Sequence, residues 1–213
     1  MAPTDKRGEH FDPGNYRPIS THSSIIQSFE KLVCKQPLSL VKKFKILSEC
    51  QVGFRKGHST EQAIAEITDN LKKSIDDDLF TCGVFLEFTK AFDTVSHSIL
   101  LKKLKKYGVR GLSLKRFNSY LSNAKQDVSF QNSKSSKQTI ICGVTQGSSL
   151  GPLLLLLFIN DIFNSSEKLS FRLFADDTNI FASSKNSKDL ETAVNQELTL
   201  VKKWYDIKKL QLT

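Results

Sequence analysis

The sequence predicts an α+β fold in which amphipathic helices pack on an antiparallel sheet. Two short apolar segments, residues 169–175 and 178–182, flank one tight acidic turn, which is the pattern of a β-hairpin. A third apolar segment, residues 81–88, is rich in residues that suit a buried strand. Around these segments, apolar residues recur at helical spacing with polar residues on the opposite face.

Composition places the chain among ordinary globular proteins. Its 213 residues are 39% hydrophobic and 25% charged, which excludes a disordered or fibrous chain. The longest apolar run, residues 150–159, is about half the length that a bilayer-spanning helix needs. No apolar segment follows a basic start, as it would in a secretory signal. We therefore expect a soluble intracellular protein with one continuous domain and no membrane partner.

The charge balance favours an anionic partner. Lysine and arginine number 31 against 22 aspartates and glutamates, which gives a formal net charge of +9. Nucleic acid is the commonest partner of such a chain, although many basic proteins bind no particular ligand. The lysines between residues 102 and 106 are either a solvated helix face or part of a basic surface for nucleic acid.

The cysteines indicate a reducing compartment. Cys34, Cys50, Cys82 and Cys142 are widely separated, and none belongs to a Cys-x-x-Cys pair or has a nearby histidine pair. We therefore predict four reduced core thiols rather than a zinc site.

Each element in the first part of the chain has its own local signal. The first eighteen residues are rich in turn formers and are predicted as a loop or hairpin. Helical spacing over residues 25–33 predicts a helix that Pro37 interrupts. Ser59 is placed to cap a second helix, which closes at residues 76–78 in an acidic solvated turn rather than a metal site.

The rest of the chain continues the alternation of helices and strands. A helix over residues 99–104 follows the first strand, and residues 126–141 form a strand region with a polar turn at 132–136. Residues 150–163 are too long and too rich in leucine for a strand, so we predict a buried helix. After the hairpin, residues 190–204 carry the apolar stripe of a late amphipathic helix.

The most informative residues are Phe174-Ala175-Asp176-Asp177, at the tip of the predicted hairpin. Adjacent carboxylates repel one another, so stability alone gives little reason to place them there. One explanation is a turn that uses Asp for its backbone hydrogen bonds. The other is a site for Mg²⁺, which binds one or two protein carboxylates plus substrate phosphates. The metal site needs a further carboxylate on a neighbouring strand, and Glu87 is available near the end of the first predicted strand.

Five segments together resemble one protein family. In chain order they are NYRPIS (15–20), GFRKGHST (53–60), VFLEFTKAFDTV (84–95), GVTQGSSLGPL (143–153) and FADD (174–177). Their sequence and order are similar to the reverse transcriptases of non-LTR (LINE-type, jockey-like) retrotransposons. One such motif can recur by chance, but five in the family's order leave little room for coincidence. The resemblance covers almost the whole chain.

The resemblance implies a right-hand polymerase fold with an antiparallel palm sheet backed by helices. The fingers would span about residues 1–80 and the palm about residues 81–213, with the chain truncated at both ends and the thumb missing. The implied activity is that of an RNA-directed DNA polymerase in the nucleus or cytoplasm. Its partners would be an RNA or DNA template with a primer, and deoxynucleoside triphosphates (dNTPs).

By matching position, the resemblance assigns the catalytic carboxylates to Glu87, Asp176 and Asp177. Glu87, Asp176 and the backbone carbonyl of Phe88 would hold two Mg²⁺ ions, with Mn²⁺ as a substitute. The ions would activate the primer 3′-hydroxyl and stabilise the leaving pyrophosphate.

The resemblance also assigns nucleotide-binding roles to Arg17, Phe88, Phe92, Gln146 and Gly147. The planar guanidinium of Arg17 would contact the incoming triphosphate. Phe92 would lie under the nucleotide sugar and exclude a 2′-hydroxyl. Gln146 and Gly147 would lie beside the nucleotide and template, where a small residue lets the backbone approach the substrate.

Three positions depart from the family. Glu87 stands where the family has Asp, Thr145 stands where proline is usual, and Pro37 falls inside an expected fingers helix. Three hypotheses remain: an active reverse transcriptase or its core, a catalytically dead nucleic-acid-binding remnant of a retrotransposon, and another palm-fold nucleotidyl enzyme such as a cyclase. The cyclase hypothesis leaves the segments at 15–20 and 53–60 unexplained.

Overall fold

The computed structural model describes residues 2–5, 16–20, 23–88, 90–122, 124–130 and 133–210. Helices and strands are mixed along the chain, as the sequence predicts. In chain order they are β1 (Ala2–Asp5), β2 (Tyr16–Ile19), α1 (Ser24–Lys43), α2 (Thr60–Asp76), β3 (Phe80–Leu86), α3 (Ala91–Thr94), α4 (His97–Lys106), α5 (Gly111–Ser122), β4 (Lys125–Gln126), β5 (Ser129–Phe130), β6 (Ser133–Lys134), β7 (Gln138–Thr139), α6 (Gly151–Ile159), β8 (Ser170–Phe174), β9 (Asp177–Ser184) and α7 (Ser187–Lys208).

The chain divides into two compact units, each built from two separate segments. The first unit is Met1–Ile46 with Phe92–Leu154, and the second unit is Leu47–Ala91 with Leu155–Thr213. The chain leaves the first unit after α1 and returns to it at α3. A boundary between fingers and palm near residue 80 stays a prediction.

In the first unit, α1 is longer than the sequence predicts. Ser23 caps it, since its hydroxyl accepts a hydrogen bond from the backbone N–H of Ile26 at 3.4 Å. The prediction that Pro37 interrupts this helix is wrong, because α1 continues to Lys43. A proline inside a helix removes one backbone hydrogen bond. Here Pro37 is buried together with Cys34 and Val41 at helical spacing, and this packing holds the helix through the proline.

The predicted helix over residues 99–104 is confirmed as α4, and a helix that the sequence analysis missed, α5, packs against it. The contact is apolar, with Leu100, Leu104, Phe117 and Leu121 at most 2% exposed. Lys103 is only 7% exposed, so the expectation that all the α4 lysines share one solvated face is wrong at this position.

The remaining strands of the first unit are short. β1 pairs with β2, β4 with β7 and β5 with β6, all antiparallel. The loop or hairpin predicted for the first eighteen residues is thus seen as a strand pair, while residues 6–15 lie outside the described part. The strand region predicted at 126–141 is confirmed only as two-residue ladders. Residue 132, at the start of the predicted polar turn, lies outside the described residues.

The second unit contains a three-stranded antiparallel sheet with strand order β3-β9-β8. The predicted hairpin is confirmed as β8 and β9, and α7 packs against β3 and β9. Leu173, Ile180, Val201 and Tyr205 form part of the core, each at most 2% exposed. The expectation that the first strand is buried is wrong: β3 lies at the edge of the sheet, and its Phe85 is 71% exposed.

The helix predicted at residue 59 is also confirmed. The Ser59 hydroxyl accepts a hydrogen bond from the backbone N–H of Gln62 at 3.1 Å, which is the N-cap arrangement. α2 ends at Asp76, and the three aspartates at residues 76–78 are all exposed, as a solvated turn requires.

The leucine-rich segment forms the buried helix that the sequence predicts. α6 is shorter than predicted and is followed by a 3-10 turn over Ile162–Ser165. Every residue from Leu153 to Ile159 is at most 7% exposed. In the part of the chain that the structure describes, no helix is both long and apolar enough to cross a membrane.

All four cysteines are free thiols. Cys34 is buried, and burial raises its pKa to about 11, as expected for a core thiol. The prediction of core thiols is wrong for Cys142, which is exposed, and only partly holds for the half-buried Cys50 and Cys82.

Candidate active site

The acidic turn joins β8 to β9 in the second unit. Phe174 pairs with Asp177, so Ala175 and Asp176 are the two central residues of the turn. Ala175 has a φ of 57°, in the left-handed region that glycine usually occupies at the first central position of such a turn. A residue with a Cβ pays roughly 1–2 kcal/mol for that conformation. The turn therefore needs support from its surroundings.

Strand pairing brings Glu87 to this turn. Leu86 pairs with Thr178 as the last registered pair between β3 and β9. Glu87 directly follows β3, and Asp177 directly precedes Thr178 on β9, so the two residues continue the same antiparallel register. Glu87 and Asp177 are exposed and Asp176 is half-buried, which keeps all three carboxylates out of the core.

The donors at this end of the sheet suit a hard divalent cation. Mg²⁺ needs only one or two protein carboxylates, because water and substrate phosphates complete its coordination shell. Among the residues that the structure describes, no three His, Cys, Asp or Glu side chains are grouped so as to hold a metal ion by themselves. Glu87, Asp176 and Asp177 therefore do not form a three-carboxylate cluster, and an ion held here would need water or substrate phosphates to complete its coordination shell.

A buried glutamine supports the turn. Gln51 is 0% exposed, and its Nε2 donates a hydrogen bond to the carbonyl oxygen of Ala175 at 3.1 Å. Its Oε1 accepts from the backbone N–H of Ala175 at 3.2 Å and from that of Gly53 at 3.0 Å. One side chain therefore satisfies both backbone polar groups of the left-handed residue.

The segment that carries Gln51 runs beside β8. The N–H of Val52 donates to the carbonyl of Leu173 at 2.8 Å, and the N–H of Leu173 donates to the carbonyl of Cys50 at 2.8 Å. A Cβ on Gly53 would lie 2.0 Å from the backbone nitrogen of Ala175, so only glycine allows this approach. The sequence analysis missed both Gln51 and Gly53 as supports; the one available signal was the glycine at the start of the GFRKGHST segment.

Phe88 lies just beyond β3 in the same unit. It is 4% exposed, and its ring packs 5.1 Å from the ring of Tyr205 on α7, measured between centroids. This packing holds the backbone directly after Glu87, where the family resemblance assigns a carbonyl ligand.

In the first unit, backbone hydrogen bonds join α3 to the loop that precedes α6. The N–H of Val144 donates to the carbonyl of Phe92 at 2.6 Å, and the N–H of Gly143 donates to the carbonyl of Val95 at 2.8 Å. Phe92 itself is half-buried. The structure thus brings Phe92 close to the loop that carries Gln146 and Gly147.

The same loop contacts the end of β2. The N–H of Ser20 donates to the carbonyl of Gln146 at 3.0 Å. Gly147 has a φ of 93°, and a Cβ there would lie 3.0 Å from the carbonyl oxygen of Ser20. The backbone of Arg17 is part of β2, whereas its side chain lies outside what the structure describes.

A buried carboxylate supports this loop from α1. Glu30 is 3% exposed; it accepts a hydrogen bond from the hydroxyl of Tyr120 at 3.2 Å and from the backbone N–H of Ser149 at 3.0 Å. Tyr120 also donates to Oγ1 of Thr145 at 3.4 Å. Burial, and then the negative charge of Glu30, raise the pKa of Tyr120 above its usual value. Glu30 is a second support that the sequence analysis missed.

The predicted site residues therefore fall into two groups, one in each unit. Glu87, Phe88, Asp176 and Asp177 lie around the acidic turn of the second unit. Arg17, Phe92, Gln146 and Gly147 belong to the first unit, where backbone hydrogen bonds link Phe92 to the loop that carries Gln146 and Gly147, and link Gln146 to Ser20 after β2.

Comparison with protein families decides the assignment. The family model for reverse transcriptase (RNA-dependent DNA polymerase) matches residues 4–212. The chain belongs to the reverse transcriptase family. The resemblance of its motifs to reverse transcriptases of non-LTR retrotransposons is confirmed.

Curated relatives of this reverse transcriptase domain come from transposons of Drosophila melanogaster. It is 32% identical over 205 residues to the probable RNA-directed DNA polymerase from transposon BS. The alignment covers 90% of this chain and 22% of that protein. It is 29% identical over 200 residues to the RNA-directed DNA polymerase from mobile element jockey, with coverage of 91% and 22%. The chain spans about a fifth of the length of these relatives.

Solved structures show the same fold at low sequence identity. A telomerase from Candida albicans in complex with a fragment of telomeric RNA matches with a TM-score of 0.55 and 14% identity, over 82% of this chain and 32% of that one. An apo telomerase from Candida tropicalis matches with a TM-score of 0.54 and 14% identity, over 81% and 36%. The fold is that of a reverse transcriptase, with helices and an antiparallel sheet.

Proposed function

We propose that this chain is the catalytic core of an RNA-directed DNA polymerase, which transfers a nucleotidyl group from a dNTP to a primer 3′-hydroxyl. The observation that carries the proposal is the register of β3 and β9, which puts Glu87 and the acidic turn at one end of one sheet. Membership of the reverse transcriptase family supports it. In this proposal, residues from about 1 to 80 act as fingers and those from about 81 to 213 act as the palm.

Glu87, Asp176 and the backbone carbonyl of Phe88 are the groups that would hold divalent ions, with Asp177 beside them. When bound, two Mg²⁺ ions would activate the primer 3′-hydroxyl and stabilise the leaving pyrophosphate. The residues supply fixed negative charge: Asp176 from the turn, and Glu87 from the end of β3. The packing of Phe88 on Tyr205 limits the freedom of the backbone directly after Glu87.

The first unit would bind the nucleotide. The guanidinium of Arg17 suits the oxygens of a triphosphate, because its planar fork donates two parallel hydrogen bonds. Phe92 would exclude a 2′-hydroxyl by its bulk, and its backbone is fixed by the bond from Val144. Gln146 and Gly147 would lie against the nucleotide and template, on a loop whose shape depends on a glycine at positive φ.

Basic residues would bind the template and primer. The chain has a formal net charge of +9, and Lys102, Lys105 and Lys106 are exposed on α4. Contacts between lysine or arginine and backbone phosphates supply most of the affinity of a protein that binds nucleic acid without sequence preference. These contacts weaken as the salt concentration rises.

Primer extension on a homopolymer RNA template with Mg²⁺ tests the proposal. The unmodified chain should extend the primer, and Asp176→Asn should reduce extension at least about 100-fold, because a neutral amide is a poor Mg²⁺ ligand. Asp69→Asn is the matched control, since Asp69 is an exposed aspartate of α2 in the same unit. It should behave like the unmodified chain.

Two results would contradict the proposal. Equal loss in Asp176→Asn and Asp69→Asn would show that the acidic turn has no special role. Tight binding of the RNA–primer duplex with no extension by the unmodified chain would favour the catalytically dead nucleic-acid-binding remnant.

A further inference from the structure

We propose that Gln51 is a positioning residue for nucleotidyl transfer: its carboxamide holds the left-handed Ala175 peptide, and through it fixes the neighbouring Asp176. This inference rests on the proposed function, because it takes Asp176 to be a catalytic carboxylate. Gln51 is not itself assigned any contact with substrate. Its role is argued from its burial and from three hydrogen bonds.

The turn has a specific need that Gln51 meets. Ala175 holds a φ of 57° and is itself 7% exposed, so neither its N–H nor its carbonyl group can rely on water. Gln51 donates to that carbonyl and accepts from that N–H. If these bonds were lost, two buried backbone groups would be left unsatisfied in a strained residue, and the turn would change conformation to rehydrate them.

A carboxamide fits both demands, because it carries a donor and an acceptor on one rigid group. The oxygen of Gln51 meets two N–H donors, from Gly53 and Ala175, and its nitrogen meets one carbonyl. This set of partners fixes which atom is oxygen and which is nitrogen. An ionised glutamate has no donor, and methionine has neither group, although both are close to glutamine in length.

Hydrogen bonds also fix the backbone of Gln51 itself. Nη1 of Arg55 donates to the carbonyl of Gln51 and to that of Ser48, both at 2.8 Å. The flanking bonds to Leu173 tie the same segment to β8. The support is therefore continuous with the sheet that carries the acidic turn, as a positioning role requires.

The central variant is Gln51→Met, with Gln196→Met as the control on the exposed surface of α7 in the same unit. In Gln51→Met, kcat for nucleotide addition should fall about 30- to 100-fold, because small displacements of a catalytic group have effects of this size. The KM for dNTP should change less than about threefold, since most of the residues proposed to bind the nucleotide (Arg17, Phe92, Gln146 and Gly147) lie in the other unit. Gln196→Met should leave both constants unchanged.

Amide hydrogen exchange supplies a readout that does not depend on activity. In the unmodified chain, the N–H groups of Ala175 and Gly53 should be protected. In Gln51→Met, both should exchange at least about tenfold faster, while the N–H of Leu173, which bonds to Cys50, stays protected. Rapid exchange at Ala175 in the unmodified chain overturns the proposal even if the variant fails to fold.

A second variant tests strain directly. Glycine adopts positive φ without penalty, so Ala175→Gly added to Gln51→Met should recover about tenfold of the lost kcat. Ala175→Gly alone is measured as the reference for this recovery. If Gln51 served only to fill space, Ala175→Gly would not restore kcat in the double variant. A double variant without this recovery therefore contradicts the positioning role.

The outcomes separate this inference from the proposed function. If the unmodified chain extends primers but Gln51→Met leaves both kcat and Ala175 exchange unchanged, the positioning role is wrong and the proposed function stands. If the unmodified chain does not extend primers at all, the proposed function is wrong and the catalytic part of this inference is overturned with it.

Discussion

The loop that precedes α6 in the first unit and the acidic turn of the second are each supported by one buried polar side chain, and the two supports differ in charge. Glu30, in the first unit, accepts hydrogen bonds from Tyr120 and from the backbone of Ser149. Gln51, in the second unit, both donates to and accepts from Ala175. Neither support lies in the segment that it holds.

The difference follows from what lies next to each support. The acidic turn already carries Asp176 and Asp177, and a third carboxylate beneath it would add repulsion and raise the pKa of its neighbours. A neutral carboxamide avoids this. The loop of the first unit carries no acidic residue between Gly143 and Leu153, so a carboxylate that gathers N–H and O–H donors is tolerated there. The negatively charged Glu30 thus supports a loop without acidic residues, and the neutral Gln51 supports the acidic turn.

Two of the three departures from the family pattern, Glu87 and Thr145, fall one in each unit, which allows a direct test of which unit limits activity. We expect Glu87→Asp to raise primer extension by about 10- to 100-fold, because the shorter side chain restores the reach of a metal ligand. Thr145→Pro should change primer extension less than about threefold, since the hydrogen bond from Ser149 to Glu30 already holds that loop. Affinity for the RNA–primer duplex should be unchanged in both, because phosphate contacts dominate it.

A larger gain from Thr145→Pro than from Glu87→Asp would reverse this part of the comparison and make the loop of the first unit the limiting element. Pro37, the third departure, is not a candidate, because α1 accommodates it.

A smaller effect should appear at alkaline pH, at the support of the loop in the first unit. The raised pKa of Tyr120 means that the folded loop prefers the protonated phenol, so its bond to Glu30 persists below the usual tyrosine pKa of about 10 and is lost only above it. The methyl signal of Thr145, which contacts this phenol, should titrate with a midpoint above that value. The Ala175 methyl signal should not follow it, because Gln51 has no proton to lose.

Tyr120→Phe is the control for this titration and should abolish the change at Thr145. A midpoint below the usual tyrosine pKa, or an Ala175 signal that titrates together with Thr145, would show that the two supports do not differ as described.

Local sequence patterns predicted the elements of the site but not their supports. The hairpin of β8 and β9, the Ser59 cap and the leucine-rich helix each depend on residues close together in the chain, and each was predicted. The bond from Gln51 to Ala175 spans 124 residues and that from Ser149 to Glu30 spans 119, so no periodicity or capping rule reveals them. Glutamine and glutamate in such positions have the same local signature as exposed polar residues.

The wrong predictions have separate physical causes. Pro37 failed to interrupt α1, and Lys103 became buried, because tertiary packing outweighed local propensity. α5 was missed because it begins at a glycine with φ of 60° rather than at a recognisable cap. The edge position of β3 could not be read from composition, since an apolar strand looks the same at the centre or the edge of a sheet.

Paramagnetic mapping with Mn²⁺ tests the central claim, that the end of the β3–β9 ladder is the metal site. In an amide NMR spectrum of the chain with a dNTP, small amounts of Mn²⁺ should first broaden the signals of Glu87, Asp176 and Asp177, and excess Mg²⁺ should restore them. Asp176→Asn should abolish this selectivity. First broadening at the solvated acidic turn of residues 76–78, with Glu87 and Asp176 unaffected, would contradict the account.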